Sequence, residues 1–328
     1  MSGYALPDEV LAQQLAELLG TQVVKVFHDP DVTELYVNAD GVLRTMRYSA
    51  RRAVEEGIRL RPSDVEAFLK MLASSVGVVL NSGNPGLQAE MPRAGGFRGA
   101  RVQGEIPPLA PAAQLNIRKP PGRIIRLDEY VERGVLSPVA RELLRDAVDG
   151  CMTFLVCGGT GSGKTTLANA VVHEMYERAA ERGEILRFGI LEDTREIFCE
   201  APDVFTFRTL DGWPMRRLVK TALRKTPDRL IVGEVRDSAA LDFLDAANTG
   251  HPGALCTLHA NDPLSALRRF DMLCRRARVP SQAEVIAESI DLVVMIQNRG
   301  AEGRRVTDLA RVDGLDARGR YRITSLAA

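Results

Sequence analysis

The stretch FLVCGGTGSGKTTLANAVV, residues 154–172, places an apolar run, a glycine-rich turn and a helix-like run end to end. Gly158, Gly159, Gly161 and Gly163 can take backbone conformations closed to residues that carry side chains, so successive N–H groups can turn inward around an anion. The spacing Gly158-x4-Gly163-Lys164-Thr165 fits the Walker A pattern, with Thr160, Ser162 and Thr166 completing the loop and its exit. In that pattern Lys164 reaches the β- and γ-phosphates and the Thr165 hydroxyl ligates Mg²⁺. The flanks agree. TFLVC reads as a buried strand, and Leu167, Ala170, Val171 and Met175 recur along one helical face, which aims a helix N-terminus at the phosphates. The competing reading, a glycine-rich turn that binds nothing, does not account for the correctly placed strand and helix.

Phosphoryl transfer to water needs charge neutralisation, Mg²⁺ and an acceptor that orients the water, so carboxylates at strand ends are the next residues to seek. In RLIVGEVRD the apolar run 230–232 delivers Glu234 at its carboxyl end, where doubly wound sheets bind ligands. Glu234 is the candidate for positioning water. The run lacks the aspartate usual at the end of a Walker B strand, so the metal is expected to rest on Thr165, the phosphates, water and a second acidic group. ILEDTREI supplies that group as Glu192, Asp193 and Glu196, with Glu192 and Asp193 the metal candidates. A solvated turn or helix cap is the alternative for these three. His251 and His259 fall in NTGHPGALCTLHAND, and from the residues alone both stay unresolved between a structural and a functional role.

The whole chain narrows the classes. Its 328 residues are enough for two domains. Lys+Arg and Asp+Glu both total 43, so no global basic field draws the protein onto nucleic acid, which argues against direct DNA binding. The opening MSGYALPDEVLAQQLAELLG is acidic where a signal peptide is basic, and no apolar run has the length of a membrane span, so a cytoplasmic location is expected. The five cysteines form no CxxC pair, so neither a disulfide framework nor a stable zinc site is expected.

Read for organisation, the first third is α+β. A helix pattern covers 9–19, Asp40-Gly41 separates two strand-like runs, and PSDVEAFLKMLASSVG spaces Val65, Phe68, Leu69 and Leu72 for a helix. Glycines and prolines over 81–121 punctuate short strand-like runs. The expected layout is an α+β N-terminal domain over 1–120, linker helices over 121–150 with one starting at Ser137-Pro138, and a phosphate-binding domain over 151–328. The boundary falls near Pro120-Pro121-Gly122. In the last part, RFGILED, RLIVGEV, ALCTLHA and DLVVMIQ alternate with helical patterns, which predicts a largely parallel, doubly wound sheet.

Four blocks, GGTGSGKTT, ILEDTRE, LIVGEVRD and TGHPGALCTLHAN, occur in the order of the Walker A, Asp box, atypical Walker B and His box of the type II/type IV secretion ATPase superfamily, which the chain resembles over most of its length. Within it DPDVTELYVNADGVL, RVQGEIPPL, NIRKPP and LRKTPDRLIVGEVRD look most like the TrbB-type conjugative transfer ATPases. The resemblance implies an α/β fold in which a RecA-like P-loop NTPase domain follows a smaller α+β domain. It further implies ATP and Mg²⁺ as cofactors, with ATP held between the two domains. It implies a homo-hexamer on the inner face of the inner membrane, with secretion-channel or pilus-assembly components as partners. Carried over by residue, it makes Lys164 and Thr165 phosphate and Mg²⁺ contacts, Glu234 the catalytic carboxylate, Glu196 an auxiliary acid and His259 a nucleotide-state sensor. Arg101 and Arg118 match the N-terminal arginines that close over the nucleotide, with ordinary surface charge as their alternative. NADG at 38–41 departs from the asparagine-proline frequent in relatives. A type IV or tight-adherence pilus ATPase, a RecA-like nucleic-acid motor and a non-hydrolysing nucleotide-gated scaffold remain the competing functions.

Overall fold

Alternating burial organises the strands of the first half of the chain, and burial on both faces organises the central strands of the second. The structure is a computed structural model that describes residues 7–47, 50, 52–120, 123–248 and 250–327. It divides into two compact units, Met1–Gly122 and Arg123–Ala328. Pro121 and Gly122, where the sequence places the boundary, lie outside the described residues.

The first unit runs α1 (Asp8–Leu19), α2 (Thr21–His28), β1 (Val32–Val37), β2 (Val42–Arg47), β3 (Val54–Arg59), α3 (Pro62–Ser75), β4 (Gly86–Glu90), β5 (Arg101–Glu105) and β6 (Gln114–Arg118). The strands form one antiparallel sheet in the order β3-β2-β1-β6-β5-β4. Asp40 closes the β1–β2 turn by accepting the Val42 N–H at 3.0 Å. Pro62 opens α3 at a position where its missing N–H costs nothing. The predicted stripe Val65, Phe68, Leu69 and Leu72 is buried with Leu15, Phe27, Leu35 and Ile117 in the core of this unit. Full burial of a side chain such as Phe68 contributes about 1.5–3 kcal/mol.

The second unit runs α4 (Leu127–Glu132), α5 (Pro138–Asp149), β7 (Phe154–Cys157), α6 (Lys164–Glu181), β8 (Arg187–Glu192), β9 (Asp203–Arg208) and α7 (Met215–Leu223). It continues through β10 (Arg229–Val232), α8 (Ala239–Asn248), β11 (Leu255–Leu258), α9 (Pro263–Arg275), α10 (Ala283–Ser289), β12 (Leu292–Asn298), β13 (Arg304–Leu315) and β14 (Tyr321–Ala327). Its eight-stranded sheet has the order β14-β13-β12-β7-β11-β10-β8-β9. Strands β12 through β9 in that order pair in parallel, and β13 and β14 extend one edge antiparallel.

Both faces of this sheet are covered. Phe154 and Val156 of β7 pack with α4, α5 and α6, while Leu155 and Cys157 pack with the helices α7 to α10. That is why β7, β10 and β11 are buried throughout rather than alternating. The sequence reads 121–150 as linker helices, and here the structure differs. Leu127, Tyr130, Ala140 and Leu144 are buried against α6 and the sheet, so α4 and α5 belong to the core of the second unit. Ser137 caps α5 by accepting the Ala140 N–H at 3.1 Å.

Candidate active site

The turn from β7 into α6 is shaped by what cannot fit there. A Cβ on Gly158 would stand 2.1 Å from the Ile296 carbonyl oxygen of β12, so no side chain is possible where the loop presses on that strand. Gly163 lies at φ +100°, a left-handed conformation that favours glycine, and it opens α6 without any side-chain cap. The first-turn N–H groups of α6 are therefore available to an anion. Thr160 stands exposed on the loop, and Thr165 and Thr166 are half-buried in that first turn. The Ser162 hydroxyl, in a residue only 2% exposed, has no hydrogen-bond partner among the described residues.

Lys164 is 7% exposed, and its Nζ donates to the Gly159 carbonyl at 2.9 Å. The same Nζ lies 3.3 Å from His259 Nδ1. His259 Nε2 lies 3.3 Å from Glu234 Oε1, and Arg236 donates to Glu234 Oε2 at 2.7 Å. A continuous line thus joins the glycine loop to the end of β10. Burial pulls the Lys164 pKa below its ordinary value, and the Glu234 charge opposes that only in part. Burial, followed by the Lys164 charge, also lowers His259 and favours a neutral ring. A neutral ring can accept from Lys164 on Nδ1 while donating from Nε2 to Glu234, a tautomer inferred from the partners' chemistry. For Glu234, burial is the largest single influence and acts upward. The Arg236 hydrogen bond and the charges of Arg236, His259 and Lys164 together outweigh it, leaving a carboxylate held below its usual range.

The backbone around Glu234 is fixed on both sides. Gly233 N donates to Leu191 O at 2.8 Å, Val235 N donates to Thr257 O at 3.0 Å, and the buried Thr257 hydroxyl donates to Gly233 O at 2.5 Å. Gly233 has no room for more: an added Cβ would stand 2.9 Å from Glu192 Cγ.

The acidic group after β8 divides. Glu192 is 3% exposed and accepts the N–H groups of Glu196 and Ile197 on Oε1, each at 2.9 Å. Burial raises its pKa to about 7 despite those two amides. Read from the sequence as a metal candidate, Glu192 thus holds the turn that carries Glu196. Asp193 accepts from the Thr209 hydroxyl at 3.1 Å and lies 3.8 Å from Arg236. Glu196 contributes negative charge that acts on both Lys164 and Arg236. Among the described residues no group of three or more His, Cys, Asp or Glu could hold a metal ion by itself. His251 Nδ1 lies 2.9 Å from the Pro227 carbonyl, a loop-tying contact. Thr249, which opens the fourth motif block, lies outside the described residues.

Arg101 and Arg118 belong to the first unit, where they are direct partners on β5 and β6. Glu34 of β1 and Glu90 of β4 continue the same row, giving Glu34, Arg118, Arg101 and Glu90 across four strands. Like charges directly opposite destabilise a sheet, and this row sets an acidic residue outside each arginine.

Sequence reasoning missed two supports. Asn169 of α6, buried, donates to Glu196 O at 2.8 Å and accepts the Phe198 N–H at 2.7 Å, fastening the acidic turn to the phosphate-loop helix. Arg236, two residues beyond Glu234, was within the quoted motif, and its charge beside two acids was the available signal.

Comparison with known proteins places this geometry. The profile of the family described as "Type II/IV secretion system protein" matches residues 99–312. The chain is 39% identical over 315 residues to "Probable conjugal transfer protein TrbB" of Sinorhizobium fredii, covering 96% of this chain and 93% of that one. It is 38% identical over 304 residues to "Conjugal transfer protein TrbB" of Rhizobium radiobacter, covering 93% and 91%. In fold it is similar to the Legionella pneumophila ATPase DotB, with a TM-score of 0.61 at 18% identity over 99% of this chain and 82% of that one. The architecture is α/β, a RecA-like P-loop NTPase domain preceded by a smaller α+β domain. The chain belongs to the type II/IV secretion system protein family and within it is similar to the TrbB-type conjugal transfer proteins.

Proposed function

We propose that this chain is a Mg²⁺-dependent ATPase that works as a homo-hexamer to energise a type IV secretion system in conjugative DNA transfer or the assembly of its pilus. The observation that carries the reading is the line Gly159, Lys164, His259, Glu234 and Arg236, which couples the glycine loop to a carboxylate at a strand end. Its membership of the secretion family supports the setting. No helix among the described residues is long and apolar enough to cross a membrane, which accords with a peripheral place on the cytoplasmic face of the inner membrane.

In the proposed reaction ATP and water give ADP and phosphate. Lys164 exchanges its Gly159 carbonyl for phosphate oxygens, and the uncapped N–H groups of the loop and α6 hold the remaining charge. The orphaned Ser162 hydroxyl and the open space beside Gly159 and Gly161, where an added Cβ would meet nothing within 4 Å, fit a phosphate group. Glu234 orients the attacking water and accepts its proton, once it is released from Arg236. His259 touches both Lys164 and Glu234, so a change at the phosphates reaches the carboxylate through one ring. Glu196 adds negative charge from the turn that Glu192 and Asn169 fix. Mg²⁺, when bound, supplies charge neutralisation on the phosphate oxygens, with the Thr165 hydroxyl as the group that would hold it. Asp193, outside the buried turn, is the better placed of the two acidic candidates to act through water.

Light scattering of the full chain with Mg²⁺ and ATP should give about six times the 35.9 kDa of one chain, the number six resting on family resemblance. A monomer at every protein concentration, with and without nucleotide, contradicts the ring. Arg118 and Arg101 are proposed to add positive charge against the γ-phosphate, which ADP lacks. Arg118→Ala should weaken ATP more than ADP, with lysine rescuing only in part because a point charge cannot reproduce the planar fork. An unchanged ratio of the two affinities returns the pair to surface charge.

A further inference from the structure

The phosphate loop has an arginine neighbour within its own unit. A Cβ built on Gly163 would lie 3.1 Å from Arg304 Cδ and 3.5 Å from Arg304 Nε, so the aliphatic stem of Arg304 lies over the last glycine before Lys164. Arg304 opens β13 opposite Asn298, beyond a tight turn in which Arg299 N donates to Gly303 O at 2.7 Å. The same hairpin packs its Ile296 carbonyl against Gly158, so β12 and β13 border the loop at both of its ends. Arg304 is exposed, and among the described residues no carboxylate, hydroxyl or ring partners its guanidinium. Surface arginines of this chain elsewhere find acids readily: Arg320 pairs with Asp316 and Arg311 with Asp313.

We infer that Arg304 is a nucleotide-contacting residue whose guanidinium binds the α- and β-phosphates shared by ATP and ADP. The inference rests on the phosphate-site reading above. The position is the argument: backbone N–H groups of such a loop cradle the α- and β-phosphates, whereas Lys164 serves the β/γ end. A planar fork beside Gly163 adds a charge-assisted contact to the phosphates that the loop backbone holds. It does so without a competing acid. Because both nucleotides carry those phosphates, Arg304 strengthens binding of each without preferring ATP. That separates it from the role proposed for Arg118.

The test is a titration of ATP and of ADP against the full-length protein with Mg²⁺, comparing wild type with Arg304→Met, Arg304→Lys, Arg305→Met and Lys164→Ala. Methionine keeps an aliphatic stem over Gly163 and removes only the charge. Both dissociation constants should rise about fivefold to tenfold in Arg304→Met, with partial recovery in Arg304→Lys. Arg305 is the next residue on the strand and points to the opposite face, so Arg305→Met should bind as wild type. Wild-type affinity for both nucleotides in Arg304→Met, with Lys164→Ala impaired, overturns the inference and leaves the phosphate site standing. If Lys164→Ala also binds normally, the phosphate-site reading falls and the inference falls with it. A loss confined to ATP, or an equal loss in Arg305→Met, overturns it as well, the first by assigning γ-phosphate sensing and the second by assigning a diffuse field.

Discussion

Lys164→Ala should reduce ATP turnover on the order of 10³-fold and weaken ATP binding strongly. The lysine is the one ammonium inside the glycine loop, buried, and held by Gly159 and His259 at the position where phosphate charge would accumulate. Alanine removes the point charge and leaves the backbone cradle in place. It also takes away one end of the line to Glu234, so His259 loses the cation that favours its neutral form. Isothermal titration and phosphate release measured on one preparation check this. Near-normal affinity and turnover would move the site away from this loop.

The second large effect separates binding from chemistry. Glu234→Gln keeps the shape of the side chain, and its amide oxygen can still accept from Arg236, but it removes the negative charge that would orient water and take its proton. Hydrolysis should fall on the order of 10²-fold or more while ATP affinity is largely retained. Glu196→Gln should cost less, because Glu196 reaches the site as charge from a turn whose position depends on Glu192 and Asn169. The reverse ranking, with Glu234→Gln active and Glu196→Gln dead, would exchange the two roles.

How much of this was readable beforehand follows from range along the chain. The β7–loop–α6 unit is local: apolar run, glycine spacing and helical stripe all sit within 154–172, and the motif needs no distant partner. The same holds for α3, whose stripe is fixed by one helix period. Strands β9 and β14 escaped the reading because both are edge strands in which no residue is fully buried, side chains such as Phe205 and Ile323 packing only partly against the core. The place of α4 and α5 was not readable either, since a short amphipathic helix in a linker and one packed on a neighbouring domain have the same periodicity.

Within the site the limit is similar. Glu192 looked like a metal candidate because the sequence cannot show that its carboxylate turns back onto two amides of its own loop, or that Gly233, just past the neighbouring strand β10, leaves it room. Arg304 lies 141 positions from Gly163 and has no motif to mark it. Only the pairing of β12 with β13 beside β7 brings the two together.

The measurement that tests the central claim most directly is ATP binding and phosphate release, followed side by side for wild type, Lys164→Ala and Glu234→Gln, with and without EDTA. The account predicts Mg²⁺-dependent phosphate release by the wild type, loss of both binding and release in Lys164→Ala, and binding without release in Glu234→Gln. Wild-type protein that binds ATP but releases no phosphate, or releases it equally well from the Glu234→Gln variant, would contradict it.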